Sequence, residues 1–220
     1  MLSLRHTVQT VERRSYLVRE GEHPAESRIV LSGFVFRQKL TGAGAREIVS
    51  VHLPGEIVDL HNSFLTVADH SIQALTRAEV ALVPRAELAD VAARHIQVAR
   101  ALLVETLIDG SILKEWLLNA ARRNSSARLA HLLCELAMRL RAAGLGELGR
   151  YRIPMTQEEL ADCLGLTQVH VSRLLSGFEK QGLIERAGRD IGISRWQPLV
   201  NLADFDPTYL HLFDAEAYPA

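Results

Sequence analysis

The segment from Met155 to Ile184 constrains the fold of this chain more than any other, because it predicts two short helices joined by a tight turn. Thr156 followed by Glu159 has the capping-box spacing that starts a helix. Gly165 stands where such a turn needs a positive φ, and Thr167 can cap the second helix. A second helix presented in this way can lay its side chains against base edges in the DNA major groove.

The second helix is predicted to have one apolar and one polar face. Its inward, apolar side consists of Val171, Leu174, Leu175 and Phe178. On the outward side Arg173 is the best base reader, because a guanidinium can donate two hydrogen bonds to guanine O6 and N7. A helical hairpin with a merely solvated polar face is the alternative, and the two caps and the turn glycine argue against it. The predicted DNA-binding residues are Thr167, Gln168, Val169, His170, Ser172, Arg173, Ser176 and Arg189.

Composition and charge are those of an ordinary folded protein, with 48% hydrophobic residues and a net charge of −1. Residues 121–200 nevertheless carry 12 Arg and Lys against 8 Asp and Glu, a modest positive excess that suits a DNA-binding segment. The acidic residues that follow are predicted to form a tail away from phosphate; they are Asp204, Asp206, Asp214 and Glu216. No apolar run is long enough to span a membrane and no signal core is present, so we expect a cytoplasmic protein without a membrane partner.

Residues 15–83 predict short strands separated by turns that contain Gly or Pro, which favours a small barrel or sandwich. The strand segments are SYLV, RIVLS, FVFRQKL, EIVSVHL, SIQAL and VALV. The pattern becomes helical from about Pro84. A β-hairpin wing with Arg186 and Arg189 facing phosphate is predicted after the paired helices. The predicted class is therefore α+β, with an N-terminal antiparallel β-roll, a long helix and a C-terminal winged helix-turn-helix.

A long helix is predicted from Ile96 to Arg122. One line of its residues alternates spacings of four and three, which is typical of a coiled-coil contact and favours a parallel homodimer over purely internal packing. The seam consists of Ala99, Leu103, Thr106, Gly110, Leu113, Leu117 and Ala120. The break from Arg122 to Ser126, with Ser126 capping the next helix, is the predicted hinge. The predicted domains are 1–95 for sensing, 96–122 for dimerisation and 123–220 for DNA binding.

This succession of roll, long helix and winged helix-turn-helix resembles the Crp/Fnr family of bacterial transcription regulators. The most specific stretches are LPGEIVDLH in the roll and LADCLGLTQVHVSRLL at the DNA helix. The resemblance implies a homodimer on a double-stranded, two-fold symmetric operator, and RNA polymerase as a partner of activators. It also implies a pocket for a small-molecule effector, whose residues here would be Gly55, Glu56, His70, Ser71, Gly110 and Leu113.

Departures from the family pattern argue against its best-known effectors. Gly55 and Glu56 match the ribose-binding pair of the cyclic-AMP-binding members, but His70 stands at the position of the phosphate-binding Arg. A neutral imidazole is a poor substitute for a bidentate guanidinium, so cyclic AMP is not the expected effector. The adenine-binding Thr-Ser pair is replaced by Leu113 and Lys114.

The cysteines of this chain differ from those of the oxygen-sensing branch of the family, whereas two residues of its DNA helix match that branch. No cysteine precedes Cys134, and Cys134 and Cys163 alone do not supply the four thiolates that an iron–sulfur cluster usually needs. Ser172 and Arg173 match the oxygen-sensing branch. Val169 replaces the Glu that reads cytosine in the family, so the operator is predicted to differ at one base per half-site.

Three histidines of the roll leave other functions open. His70 lies near the position of the haem ligand in the family's carbon-monoxide sensor, so a haem-dependent gas sensor is one alternative. A cupin-type metalloprotein using His52, Glu56 and His61 is another, although the spacing is wrong and neither a metal site nor an enzyme is predicted. The third is a roll that only dimerises, without an effector. If Glu56 faces inward, its carboxylate needs a partner, which a ligand or His70 could supply.

Overall fold

The computed structural model describes residues 4–212 of the chain except 148–149, 154 and 189. The chain divides into two compact units, Met1–Leu107 and Ile108–Ala220. Antiparallel sheets dominate the first unit and helices the second, which confirms the predicted α+β class. The longest helix, α3 (Ile96–Arg122), has the predicted bounds, and the division between the units falls within it.

The described residues of the first unit form two antiparallel sheets. Their strands are β1 (Thr7–Val11), β2 (Tyr16–Val18), β3 (Glu26–Ser32), β4 (Val35–Leu40), β5 (Arg46–His52), β6 (Ser71–Ala74) and β7 (Ala78–Pro84). One sheet has the order β1-β7-β3 and the other the order β2-β6-β4-β5. Every strand segment predicted from the sequence is present. β1 escapes the prediction because most of its side chains are exposed and its hydrophobic pattern is weak; its pairing with β7 defines it.

The roll has an apolar core and a second apolar cluster beneath its helices. The core includes Val30, Val35, Val58, Ile72 and Ala74, all fully buried. The second cluster joins the roll to α1 (Leu60–Phe64), α2 (Arg85–Arg94) and the first turns of α3. Its buried members are Leu60, Val83, Leu88 and Leu102. Burial of a large aliphatic side chain contributes about 1.5–3 kcal/mol, so this cluster holds α1 and α2 on the sheet.

The second unit is built on α4 (Ser125–Ala142), whose leucines Leu129, Leu133, Leu136 and Leu140 are fully buried. The other elements are β8 (Arg150–Arg152), α5 (Gln157–Leu164), α6 (Gln168–Lys180), β9 (Ile184–Ala187), β10 (Asp190–Ile193), α7 (Trp196–Ala203) and a 3₁₀ turn (Pro207–Leu210). The predicted wing is confirmed as the β9–β10 hairpin. β8 extends it to a sheet of order β8-β10-β9. Within the described part of the chain, no helix has the length and apolar character that crossing a membrane requires.

Two local predictions in the second unit are wrong. Asn124, rather than Ser126, caps α4: its side chain accepts a hydrogen bond from the backbone NH of Ala127, so the helix begins at Ser125. Asp204 and Asp206 do not belong to a loose tail, because Asp204 ends α7 and the Asp206 side chain caps the 3₁₀ turn. The other two acidic residues of the predicted tail, Asp214 and Glu216, lie outside the described residues.

We expect Gly33→Ala to destabilise the roll. Gly33 joins β3 to β4 with a φ of +77°, and a Cβ there would meet the Arg77 carbonyl oxygen at 2.3 Å and Ala78 Cα at 2.7 Å. Both are backbone atoms that cannot move aside without disturbing β7. The free energy of unfolding, measured by urea denaturation followed by circular dichroism, should fall by more than about 2 kcal/mol.

The matched control for this change is Gly21→Ala. Gly21 has a similar φ of +88°, but a Cβ there would have no atom within 4 Å. It should therefore cost only the backbone strain, about 1 kcal/mol. Equal losses for the two variants would contradict the steric account of Gly33.

Candidate nucleic-acid interface and candidate effector pocket

Helix α5 starts and ends as its sequence predicts. The Thr156 side chain accepts a hydrogen bond from the Glu159 backbone NH, and the Glu159 carboxylate accepts one from the Thr156 NH at 2.7 Å, which completes the capping box. Gly165 follows the helix with φ 60° and ψ 39° in the left-handed region. The chain can therefore reverse direction within two residues before α6 begins at Gln168.

Helix α6 presents two contrasting faces. Its apolar side is buried at Val171, Leu175 and Phe178, as predicted, while Leu174 is half-buried. The Thr167 side chain caps the helix by accepting a hydrogen bond from the His170 NH. The exposed side carries most of the predicted DNA-binding residues: Thr167, Gln168, Val169, His170 and Arg173 are exposed, and Ser172 and Ser176 are half-buried.

Two exposed side chains on α6 are available for contact with a ligand. The Arg173 guanidinium makes no hydrogen bond or ion pair with any residue that the structure describes. Val169 is 60% exposed although it is apolar. Both lie opposite the buried face, so a partner could reach them without any rearrangement of the helix. Arg189, the remaining residue of the predicted DNA-binding set, lies outside the described residues.

Arg128 connects the start of α4 to the end of α5, and the sequence analysis missed it. Its Nε donates to the Arg123 carbonyl oxygen at 2.9 Å, and its Nη1 donates to the Leu164 carbonyl oxygen at 3.1 Å. The second bond satisfies a carbonyl at the end of α5, which has no partner within the helix. Arg128 therefore helps to fix the position of the paired helices on α4.

The wing is held by an ion pair rather than left free for phosphate. Arg186 Nη2 donates to Glu179 Oε2 at 2.5 Å, joining β9 to the last turn of α6. The hydrogen bond from Arg186 lowers the pKa of Glu179. The sequence analysis assigned Arg186 to a phosphate contact; the structure pairs its charge with a carboxylate of the same unit instead.

A buried carboxylate joins the last turns of α3 to α4. Glu135 is fully buried and accepts hydrogen bonds from Trp116 Nε1 at 2.9 Å, from the Tyr209 hydroxyl at 2.8 Å and from Arg139 Nη1 at 3.1 Å. Beside it, Arg123 Nη1 donates to Glu115 Oε1 at 2.7 Å. The predicted break after Arg122 is present, but these bonds cross it and argue against a free hinge there.

His131 of α4 lies beside Glu115 of α3 and is held in its neutral form. Burial, together with the positive charge of Arg123, lowers the pKa of His131 to about 3, and its ring stacks on Tyr209. The Glu115 carboxylate lies 3.2 Å from its Nε2 and acts in the opposite direction. Burial decides the direction of the pKa shift of His131, because this side chain is 1% exposed and Glu115 is already bonded to Arg123.

We expect the second unit to lose stability as the pH falls below about 6.5. Unfolded His131 binds a proton below its ordinary pKa near 6.5, whereas folded His131 does not until about pH 3. The stability contributed by neutral His131 is therefore present above pH 6.5 and lost by up to about 1.4 kcal/mol for each pH unit below it. Both tryptophans, Trp116 and Trp196, lie in this unit, so urea unfolding followed by their fluorescence between pH 5 and 7 measures the effect.

His131→Gln should flatten this pH dependence, whatever it does to the absolute stability. The control His170→Gln removes an exposed histidine of the same unit and should keep the wild-type slope. A wild-type slope in the His131 variant would show that this histidine is not the group responsible.

The structure gives Glu56 a partner that the sequence analysis did not identify. His52 Nδ1 donates to Glu56 Oε2 at 3.1 Å, and His52 Nε2 accepts from the Ser50 hydroxyl at 2.9 Å. Gly55, just before Glu56, has a φ of +97° in the turn after β5. The predicted partner, His70, instead donates through Nδ1 to Asp69 Oδ1 at 2.7 Å.

The other predicted pocket residues of the roll make contacts of their own. His70 is buried, its ring lies 4.4 Å from that of His61, and burial together with Arg37 lowers its pKa. The Ser71 hydroxyl accepts a hydrogen bond from the Glu20 NH. Gly110 and Leu113 lie on the part of α3 that belongs to the second unit.

Two buried charged residues of the roll are absent from the predicted pocket. Arg37 donates through Nε to the Val58 carbonyl oxygen at 2.7 Å. Asp59 is fully buried and accepts hydrogen bonds from the backbone NH and from Nη1 of Arg28. Burial raises the pKa of Asp59 although these bonds oppose the shift. No local pattern marks either residue, because each is paired with a residue distant in sequence.

An exposed apolar stripe follows the predicted seam of α3. Leu103, Leu113 and Leu117 are exposed, Thr106 and Ala120 are also exposed, and Ala99 and Gly110 are half-buried. The stripe is wider than the seam, because Val104, Leu107 and Leu118 are exposed as well. An apolar surface of this length on one helix is typical of a contact with another protein chain.

Comparisons with known proteins match both parts of the chain. Residues 8–95 match the cyclic nucleotide-binding domain, and residues 127–202 match the Crp-like helix-turn-helix domain. The solved structure of FixK2 from Bradyrhizobium japonicum superposes with a TM-score of 0.84 at 30% identity, covering 90% of this chain and 98% of that one.

Curated relatives give the same result. The transcriptional activator protein anr of Pseudomonas aeruginosa is 28% identical over 185 residues, which cover 83% of this chain and 75% of that protein. The fumarate and nitrate reduction regulatory protein of Escherichia coli is 26% identical over 202 residues, 88% of this chain and 77% of that protein. These relatives are transcription regulators and not enzymes. The chain belongs to the Crp/Fnr family of DNA-binding transcription regulators.

Proposed function

We propose that this regulator binds a two-fold symmetric operator as a homodimer, with one α6 helix of each chain in the major groove. The observation that carries the proposal is the exposed face of α6, where Val169 and Arg173 lie opposite the buried side chains of Val171, Leu175 and Phe178. The caps at Thr156 and Thr167 and the turn at Gly165 fix this helix at the surface. Two copies related by a dimer axis would reach successive major grooves about 34 Å apart.

Each residue on this face has a role that its chemistry supports. Arg173 donates two hydrogen bonds to guanine, and Val169 makes apolar contact with a thymine methyl. Gln168 reads adenine or binds phosphate, and the small Ser172 permits close approach. Thr167, His170 and Ser176 lie beside them and contact the sugar-phosphate backbone, as does the wing residue Arg189.

Arg173→Ala should weaken binding to the specific operator by about 1–3 kcal/mol and relax the preference at one base pair of each half-site. The operator is first obtained by selection from a random DNA pool, and affinities are then measured by fluorescence anisotropy. Arg94→Ala is the charge-matched control, because Arg94 is exposed on α2 of the roll and is paired with Asp90. An equal loss on random duplex would show that Arg173 contacts phosphate and does not read a base.

The proposed dimer contact is the exposed stripe of α3 around Leu103, Gly110, Leu113 and Leu117. Its spacing of four and three residues is that of a two-stranded coiled coil. Burying leucines that are more than half exposed supplies the free energy of association. We propose that residues 1–95 form the sensing roll, that residues 96–122 form the dimerisation helix and that residues 123–220 bind DNA.

Leu117→Asp should convert the dimer to a monomer and abolish tight operator binding, because it places a charge in an apolar contact. Leu117 is 68% exposed in the single chain, so the substitution leaves the fold of the chain unchanged. Sedimentation velocity measures the oligomeric state. Leu40→Asp, at a 51% exposed leucine of β4, is the control and should remain dimeric. A wild-type monomer, or a dimeric Leu117 variant, would overturn the seam.

We further propose that cyclic AMP is not the effector. The carboxylate of Glu56 is already bonded to His52, and the predicted phosphate position holds His70, whose lowered pKa keeps it uncharged at neutral pH. A neutral, buried imidazole offers an anionic phosphate little attraction. The operator titrations described above, repeated with cyclic AMP, should give unchanged affinity.

Iron–sulfur and haem sensing are not part of the proposal. Cys134 and Cys163 are the cysteines of these 220 residues, and both are buried. Burial raises the pKa of the Cys134 thiol to about 12, which disfavours the thiolate that a cluster requires. For haem, the His70 side chain is only 10% exposed and its Nδ1 is bonded to Asp69, so the ring presents too little surface for a porphyrin to lie against it.

A further inference from the structure

Three metal-ligating side chains converge beside the start of β6. His61 lies on α1, and Asp69 and His70 immediately precede the strand. One imidazole nitrogen of each histidine and a carboxylate oxygen of Asp69 all lie within 4.8 Å of one another. The two rings are 4.4 Å apart and tilted by 48°. The hydrogen bond between His70 and Asp69 does not by itself account for the second imidazole, that of His61, beside them.

The spacing suits a small cation. Ligand atoms at about 2.1 Å from a tetrahedral Zn²⁺ are about 3.4 Å from one another. In the structure His61 Nε2 lies 3.8 Å, and His70 Nδ1 lies 2.7 Å, from the same Asp69 oxygen. These two pairs therefore need to adjust by less than about 1 Å, and the two imidazole nitrogens, which lie within 4.8 Å of each other, need to approach by less than about 1.5 Å.

His70 is available as a ligand. Among the described residues its Nδ1 is bonded only to Asp69, which would be a co-ligand, and its buried Nε2 has no hydrogen-bond partner. No group outside the cluster therefore competes for this imidazole. Burial and Arg37 lower the pKa of His70, so at neutral pH the ring carries the lone pair that a metal needs. The nearby Lys39 ammonium donates to the Asp69 backbone carbonyl oxygen, and its charge is paired with Glu20 at 2.7 Å.

The site is also accessible. The Asp69 side chain is 76% exposed and that of His61 is 24% exposed, whereas that of His70 is 10% exposed. A cation could enter from solvent through Asp69 and reach a nitrogen held against the roll. Coordination positions on the solvent side would be filled by water, because the cluster supplies three ligands.

We propose that His61, Asp69 and His70 form a binding site for one divalent first-row transition metal ion, of the Zn²⁺ class, in each chain. Two imidazoles and one carboxylate select such ions over Mg²⁺ and Ca²⁺, which prefer oxygen ligands. The ion would link α1, which carries His61, to the two residues that immediately precede β6, Asp69 and His70. The sequence analysis considered His61 only with His52 and Glu56, because residues eight or nine positions apart across a loop show no metal-binding spacing.

The test uses untagged, chelator-treated full-length protein titrated with ZnCl₂ by isothermal calorimetry. The expected result is one Zn²⁺ per chain, with a dissociation constant at least about tenfold weaker in each of His61→Ala, Asp69→Asn and His70→Gln, since a direct ligand should matter at least as much as the outer-shell groups that cost 10–100-fold. His23→Gln is the matched control, because His23 is an exposed histidine bonded to the Thr66 carbonyl in the same region.

Asp69→Asn keeps the test decisive if a histidine variant fails to fold, because the Asp69 side chain is largely exposed. Zinc should also raise the thermal unfolding midpoint of the wild type and not of Asp69→Asn. Absence of stoichiometric binding, or equal binding by wild type and Asp69→Asn, would overturn the proposal. The site does not depend on the proposed DNA contacts, so operator binding by the metal-free protein tests those separately.

Discussion

The DNA-binding unit depends on a carboxylate buried without access to water. The Glu135 carboxylate is tolerable in that position only because Trp116, Arg139 and Tyr209 all donate hydrogen bonds to it. These three groups come from α3, from α4 itself and from the turn after α7. Loss of one donor would leave a buried carboxylate oxygen without its hydrogen bond, so the segments that carry the donors are held in one arrangement.

A connected set of contacts runs from that carboxylate to the recognition helix. Trp116 ties the end of α3 to α4 through Glu135, and Glu115 ties it to Arg123 in the break between the two helices. Arg128, in the first turn of α4, bonds to the last carbonyl of α5. Gly165 and the Thr167 cap then set the start of α6. In the proposed dimer the C-terminal turns of α3 would therefore carry the DNA-reading surface with them, with no independent hinge after Arg122.

Local chemistry explains which features the sequence could predict. The caps at Thr156 and Thr167, the turn at Gly165 and the buried face of α6 each depend on residues within one or two helical turns, and all are present as predicted. The bounds of α3 follow in the same way from a long periodic pattern. β1 and β8 were beyond reach, because a strand with few buried side chains is defined by its partner and not by its own residues.

The side-chain partnerships show the same limit more sharply. Nothing in the order of residues shows that Glu56 would bond to His52 rather than to His70, or that His61 would lie against His70. Asn124 caps α4 in place of Ser126, because the backbone at residue 124 has the extended geometry of an N-cap residue and the helix begins at Ser125. The contact between His61 and His70 depends on where α1 and the start of β6 come together, which no short window of sequence contains.

The pairing of Arg186 with Glu179 reduces the positive charge that the wing can offer to DNA phosphates. A guanidinium already neutralised by a carboxylate displaces few cations from the sugar-phosphate chain, and each phosphate contact forgone removes about one released counterion from the association. In the proposed complex, this pairing would therefore reduce the part of the affinity for DNA that does not depend on sequence. In the proposed complex, discrimination among sequences would then depend on the few side chains of α6 that reach the bases.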